Sequence, residues 1–229
     1  MTLTVADLPL HQQKALMDMT SAVNDLFATY QKEYQSLWPA TCDPSVLQDA
    51  PESVTQVSNG ADALGLSAVS RFVEVESDYY SWEVQRRSFR VLAPSRAHMC
   101  KSLIMENTRC THTNYDDPLY SRYYCIYDTP VNTQVLLNYA RDLNNRTISK
   151  KHYNFRMADE NVSYELTGYK SGGVCAIGMK CNVPIILAGC ILQLNPPVMF
   201  LGAGHVDWKI GVPVQDFIDK TGCLVANLD

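Results

Sequence analysis

The twelve residues Thr167-Gly168-Tyr169-Lys170-Ser171-Gly172-Gly173-Val174-Cys175-Ala176-Ile177-Gly178 constrain this chain more than any other stretch. Four of its eleven glycines fall there. Glycine reaches φ > 0 and lets backbone come close to a ligand or to other backbone. Such a loop can turn bare N–H groups toward a carbonyl or an anion. The apolar run Val183-Pro184-Ile185-Ile186-Leu187 follows, so the loop is expected to hang on a buried sheet. Spacing alone leaves two readings open: an ordinary turn between core strands, or a ligand-cradling loop.

A chain of 229 residues can bury one good core with an appendage. Its apolar runs, near Ile185 and Val198, are too short to span a membrane. The first residues, Met1 to Asp7, lack the basic-then-apolar pattern of a leader, so a cytoplasmic location is expected. The eight cysteines form no C-x-x-C pair and are expected as free thiols. Net charge is −5, which argues against broad wrapping of nucleic acid. Residues 1–70 carry two basic and eight acidic residues, and residues 71–229 carry 17 basic and 16 acidic. The second part can therefore hold local basic surface. One group is Arg86, Arg87, Arg90, Arg96 and Lys101; another is Arg141, Arg146, Lys150, Lys151 and Arg156. Taken singly, each reads as a solvated face.

Periodicity predicts one long amphipathic helix over 11–38, with Leu16, Met19, Val23, Leu26, Tyr30 and Leu37 at 3–4 spacing. That face can pack on the chain itself or on a partner helix. Pro39, Pro44, Pro51, Asn59 and Gly60 break the pattern, with a short helix in 52–57, and place a domain boundary near residue 62. The expected organisation is an N-terminal helix and linker over 1–62 and a globular domain over 63–229. Strands are expected near 72–76, 98–105 and 122–127. Helices are expected over 131–143 and 213–220, and short segments at 164–167, 184–187 and 198–201. Residues 111–120 read as a polar loop. Strands alternating with helices indicate an α/β (α+β) fold, a mixed sheet surrounded by helices.

Lys101 is the sharpest single candidate. On a strand through Cys100–Met105 it shares a face with Leu103 and Met105, while Cys100, Ser102 and Ile104 take the other. Both faces are apolar, so its ammonium must meet a carboxylate, a carbonyl or an anionic ligand, or reach water from the strand's first turn. His98, Cys100, Cys110 and His112 are the right ligand types for zinc, but their spacing matches no established zinc pattern, and no metal or other cofactor is expected. Cys175 has only His205 as a distant base, and reads as a core or loop cysteine.

Four blocks carry a family resemblance. They are Ala97 to Asn107 around Lys101, Tyr153 to Ala158, the glycine loop, and Gly202-Ala203-Gly204-His205 with Asp207-Trp208-Lys209-Ile210. In order and spacing they resemble the YbaK-like aminoacyl-tRNA deacylases, kin to the editing domain of bacterial prolyl-tRNA synthetases, over roughly residues 85–225. The Met105-Glu106-Asn107 and Asn154-Phe155-Arg156 wordings resemble the eukaryotic free-standing branch. The resemblance implies trans-editing: hydrolysis of the ester of a mischarged tRNA, expected to be tRNA for proline carrying a small residue such as alanine. It implies that Lys101 meets the terminal nucleotide's phosphate and that Gly172 and Gly173 act on the ester carbonyl. Val174, Cys175, Ala176, Gly178, Gly202, Gly204, His205 and Lys209 are implied to shape the substrate site. The nucleophile is then water or the neighbouring ribose hydroxyl. The expected partners are a tRNA acceptor end and, through the 11–38 helix, a synthetase or multi-synthetase assembly.

Two positions depart from that family. Ala176 stands where its loop usually has a φ-fixing Pro, and Lys209 where synthetase-embedded domains often have His and bacterial free-standing ones Asp. Both favour an alternative, an inactive editing-fold module serving as a subunit or scaffold.

Overall fold

The computed structural model describes residues 5–111, 121–127 and 131–228. The chain divides into two units, Met1–Pro39 and Ala40–Asp229. The first is built on α1 (Leu10–Leu37), the helix expected over 11–38, and ring contacts between Tyr30, Tyr34 and Trp38 run along its last turns.

The second unit begins well before residue 62. Its first helix, α2 (Glu52–Leu64), is twice the length expected. The i, i+3, i+7 residues Val54, Val57 and Ala61 are fully buried. Asn59 and Gly60, read from the sequence as breakers, lie inside it. Gly60 is needed there because a Cβ would collide with the backbone of Gly178. The helix ends at Gly65, in the left-handed conformation.

The strands form two sheets. One comprises β1 (Arg71–Glu74), β6 (Val198–Gly202) and β7 (Trp208–Pro213), antiparallel in the order β1-β7-β6. The other comprises β2 (Ser102–Asn107), β3 (Tyr123–Tyr127), β4 (Phe155–Met157), β5 (Ile185–Ala188) and β8 (Leu224–Ala226), in the order β4-β2-β3-β5-β8. Its β4-β2-β3 part is antiparallel and its β3-β5-β8 part parallel, giving a mixed sheet. A parallel bridge between Met99 and Phe200, with Cys100 N–H donating to Phe200 O at 2.9 Å, ties the start of the β2 segment to the other sheet.

Helices α3 (Val84–Arg90), α4 (Thr133–Leu143), α5 (Glu160–Thr167) and α6 (Val214–Thr221) accompany the sheets. Asn132 caps α4, accepting from the N–H groups of Gln134 and Val135. Its buried face is Leu136, Leu137 and Ala140. The segment expected at 164–167 is the last turn of α5, ended by left-handed Gly168. The core joins α2, α4 and α6 to both sheets through residues such as Val57, Leu136, Ile186, Met199, Ile210 and Phe217.

Three charged residues are buried in this unit: Arg71, whose Nη2 donates to Val91 O at 2.8 Å, Glu106 and Lys209. Glu106 on β2 is bound by Arg122 at 2.8 Å and Arg156 at 3.2 Å. Burial alone would raise its pKa, but the two guanidinium groups outweigh that and hold the carboxyl below its usual range. Lys209 on β7 is 3% exposed. Its Nζ donates to Val206 O at 2.6 Å and Trp208 O at 3.0 Å, and lies 5.3 and 4.9 Å from the ring centroids of Tyr79 and Tyr80. Burial lowers its pKa from 10.5 to about 8, with Asp207 opposing and Arg87 adding to the shift.

Two outcomes are expected. Gly204 has φ +86, and a Cβ there would collide with Ser53 O. Gly204→Ala should lower unfolding free energy by ~2 kcal/mol or more in urea titration; a loss under ~0.5 kcal/mol would show that α2 yields easily. Lys209 is protonated in both states below pH 8, where the cost of burying its charge is complete. Between pH 8 and 10.5 the folded state releases the proton first, so stability rises with pH. The stability of wild type relative to Lys209→Met should therefore increase by up to roughly 3 kcal/mol between pH 7 and 10.5. A pH-independent difference would contradict an ammonium depressed by burial.

Candidate functional site

A cavity of about 1000 Å³ opens in the second unit, between the segment entering β2, the α3 region, the start of α5 and the glycine loop. The chain reaches it because residues 99–102 pass from one sheet to the other. Met99 bridges to β6, and Ser102 begins β2. Lys101 sits at the passage between them, one residue ahead of the strand rather than on it. Its side chain is exposed and lines the cavity. Of the two readings the sequence left open, the structure gives the lysine at the strand's mouth, free of the burial cost that a core ammonium would carry.

Of the loop residues singled out from sequence, Gly172 and Val174 line the same cavity, together with Ser171. Neither Gly172 nor Val174 uses its N–H in an intramolecular hydrogen bond among the described residues. Tyr80 forms the facing wall and its hydroxyl donates to Gly172 O at 3.2 Å. Burial raises the pKa of Tyr80 and pushes Tyr79 up to about 12, so both are neutral phenols at physiological pH. Ser102 also lines the cavity, with its Oγ buried and without a hydrogen-bond partner. Three cations share this space: Arg87, Arg96 and Lys101. Glu160 is the one carboxylate among the residues described as lining it.

The remaining candidates lie behind this surface. Gly173 is buried where the loop crosses the β6–β7 turn: its carbonyl accepts from Gly204 N–H at 2.8 Å, and a Cβ would meet Gly204 O at 2.6 Å. Gly202 completes the crossing, since a Cβ there would stand 2.8 Å from Val174 O. Gly178 lies beneath α2, its carbonyl accepting from Gln56 Nε2 at 2.6 Å and Tyr169 Oη at 2.9 Å. Cys175 and Ala176 are buried, at 0% and 6% exposure. His205 is half-exposed and its Nδ1 accepts from Asp207 N–H at 3.2 Å. Lys209 stands behind Tyr79 and Tyr80. The cavity lining therefore includes Lys101, Gly172 and Val174, while Gly173, Cys175, Ala176, Gly178, Gly202, Gly204, His205 and Lys209 lie outside it.

Sequence reasoning missed the opposite wall, made by Tyr79, Tyr80, Val84, Arg87 and Arg96, and the α5 side with Met157, Ala158, Glu160 and Ser163. The cluster Arg86 to Lys101 was visible in the sequence, but nothing there placed Arg87, Arg96 and Lys101 around a cavity. His98 is a packed histidine. Its Nε2 lies 3.0 Å from Pro196 O, which can only accept, so Nε2 carries the proton and Nδ1 accepts from Ser95 Oγ at 2.9 Å. Burial lowers its pKa. His112 of the zinc-like pattern lies outside the described residues, as does most of the 111–120 loop. Among the described residues no group of three or more His, Cys, Asp or Glu side chains is placed to hold a metal ion. No helix among them is long and apolar enough to cross a membrane.

No protein-family model and no curated protein matches the sequence. Solved structures do match the fold. A candidate trans-editing enzyme for prolyl tRNA synthetase aligns at TM-score 0.61 and 18% identity, over 79% of this chain and 99% of its own. A scaffold protein from the computational grafting of linear epitopes aligns at 0.59 and 17% identity, over 78% and 97%. The hypothetical protein APE2540 aligns at 0.55 and 19% identity, over 76% and 98%. At such identities the likeness establishes architecture: the chain has the mixed α+β fold of the YbaK-like editing domains.

Proposed function

We propose that this protein is a trans-editing aminoacyl-tRNA deacylase, hydrolysing the ester of a mischarged tRNA, with tRNA for proline carrying alanine as the first substrate to test. One observation carries the reading: a single cavity joins Lys101 to the free backbone N–H groups of Gly172 and Val174. In this reading Lys101 takes a phosphate of the terminal nucleotide as a point charge. The N–H groups meet the ester carbonyl and stabilise the charge that develops on its oxygen.

No nucleophile–base pair of side chains is needed. Cys100 lines the cavity, but the nearby His98 has both ring nitrogens engaged elsewhere. An aminoacyl ester is already activated, and water attacks its carbonyl carbon once it is oriented, with the adjacent ribose hydroxyl as a hydrogen-bonding neighbour. The bond from carbonyl carbon to the ribose oxygen breaks, and a proton returns to that oxygen. The alternative of an inactive module drew on Ala176 and Lys209, and both lie outside the cavity lining. Helix α1 is the proposed attachment to a synthetase assembly, which would raise local substrate concentration without new contacts at the site.

The test is hydrolysis of tRNA for proline charged separately with alanine, cysteine, serine and proline. Rapid loss of one non-cognate ester is expected, with kcat/KM falling about 100-fold or more in Lys101→Ala. Decay of every ester at the uncatalysed rate would exclude editing of this tRNA.

A further inference from the structure

The cavity carries charge of both signs. Arg87, Arg96 and Lys101 bring cations to its lining, and Glu160 brings the one carboxylate among the described residues there. We propose that Glu160 binds the α-ammonium of the aminoacyl group, so that the site takes esters of free amino acids and refuses those whose nitrogen is already acylated. The proposal rests on the editing reading for the ester and deepens it by naming the class of acyl group.

The first observation is that the Glu160 side chain is unspent. Its neighbour Asp159 lies 3.8 Å from Arg156, and Glu106 is held by Arg122 and Arg156. Glu160 has neither an ion pair nor a side-chain hydrogen bond among the described residues, although three cations share its cavity.

The second observation is where it stands. Ala158 N–H donates to Ile104 O at 2.8 Å, which seats the entry to α5 beside Ile104. Glu160 is the first residue of that helix. Lys101 lies three residues before Ile104, roughly 10 Å along an extended chain. The lone acid and the lysine therefore belong to separate stations of one cavity.

The third observation is what ligand those charges fit. A terminal aminoacyl nucleotide has an anion at its phosphate and a cation at its α-nitrogen, with the ribose and the ester between them. Lys101 suits the first, and the Gly172 and Val174 N–H groups suit the ester carbonyl. The α-nitrogen lies one carbon beyond that carbonyl. N–H groups cannot accept from it, and the three cations repel it. An ammonium brought into such a space without a counter-charge is disfavoured. Glu160 is the carboxylate at hand to receive it, and Met157, Ala158 and Ser163 beside it leave the side chain of the amino acid an apolar and small-residue wall. Acylation makes the nitrogen a neutral amide and removes the charge that Glu160 would recognise.

The test is steady-state hydrolysis, by the full chain, of tRNA for proline charged with alanine and of the same ester after N-acetylation. Wild type should favour the free amine by about tenfold or more in kcat/KM. Glu160→Gln should lower kcat/KM on the alanyl ester about tenfold, chiefly through KM, and change it less than about twofold on the N-acetylated ester. Glu160→Asp should restore part of the preference. Glu165→Gln, which removes an exposed acid of the same helix outside the cavity lining, should keep all of it. Equal treatment of the two esters by wild type, no change or a parallel loss on both in Glu160→Gln, or the same loss in Glu165→Gln would overturn the assignment. Hydrolysis of neither ester by wild type defeats the editing activity, and the subsite is then read by calorimetry with alanyl-adenosine monophosphate carrying an amide in place of the ester, and with its N-acetyl derivative. A preference for the free amine that Glu160→Gln abolishes upholds the subsite; equal affinity for the two, or binding of neither, overturns it.

Discussion

The close crossing of backbone on backbone beneath the cavity is the constraint on which the rest of the second unit depends. Gly173 meets Gly204, Gly202 meets Val174, and Gly204 in turn lies against the Ser53 carbonyl of α2. Gln56, one turn further on, donates to Thr167 O at 3.0 Å and Gly178 O at 2.6 Å. Helix α2 therefore holds both ends of the glycine loop and the β6–β7 turn at once. Side chains of ordinary size at these crossings would push the three segments apart. The packing of Val54, Val57 and Ala61, all fully buried, supplies the apolar burial that keeps them together.

The same economy of space sets the chemistry. A residue that leaves one sheet at Met99 and enters another at Ser102 is presented at the edge of both. Lys101 occupies that edge and stays exposed to solvent, where an anion can arrive. Lys209 shows the contrasting case. It is buried behind Tyr79 and Tyr80, satisfied by two carbonyls and two ring faces, and its proton is held less firmly than usual.

Much of the architecture was legible because apolar runs and breakers announce strands, helices and the glycine loop. What stayed hidden depended on contacts across long sequence separations. Glu106 and Arg156 stood in two separate motif blocks, and only the antiparallel register of β2 and β4, which places them opposite each other, reveals that they are an ion pair. Asn107 likewise binds the backbone of His152 and Asn154. These motif residues join strands and do not line the cavity. Gly60 looked like a helix breaker because its reason for being glycine, the approach of Gly178, lies far along the chain. The α3 wall had no periodic signal long enough to be read, since α3 has seven residues. Cys175 and Ala176 drew attention by lying in the loop, yet with Ile177 they form a consecutive run packed into the core.

The pinned loop also bears on how such a protein can change over evolutionary time. A floor made of interlocked main chain tolerates almost no substitution, because any added atom displaces three segments together. Ile104, Met157, Ala158 and Ser163 line the cavity from β2, β4 and the α5 region, away from that interlock. Exchanges there can enlarge or narrow the space while the floor stays in place. Descendants of one ancestral chain could thus diverge in the size of group they accept while keeping the same polar contacts beneath it, with selectivity and chemistry free to drift at separate rates.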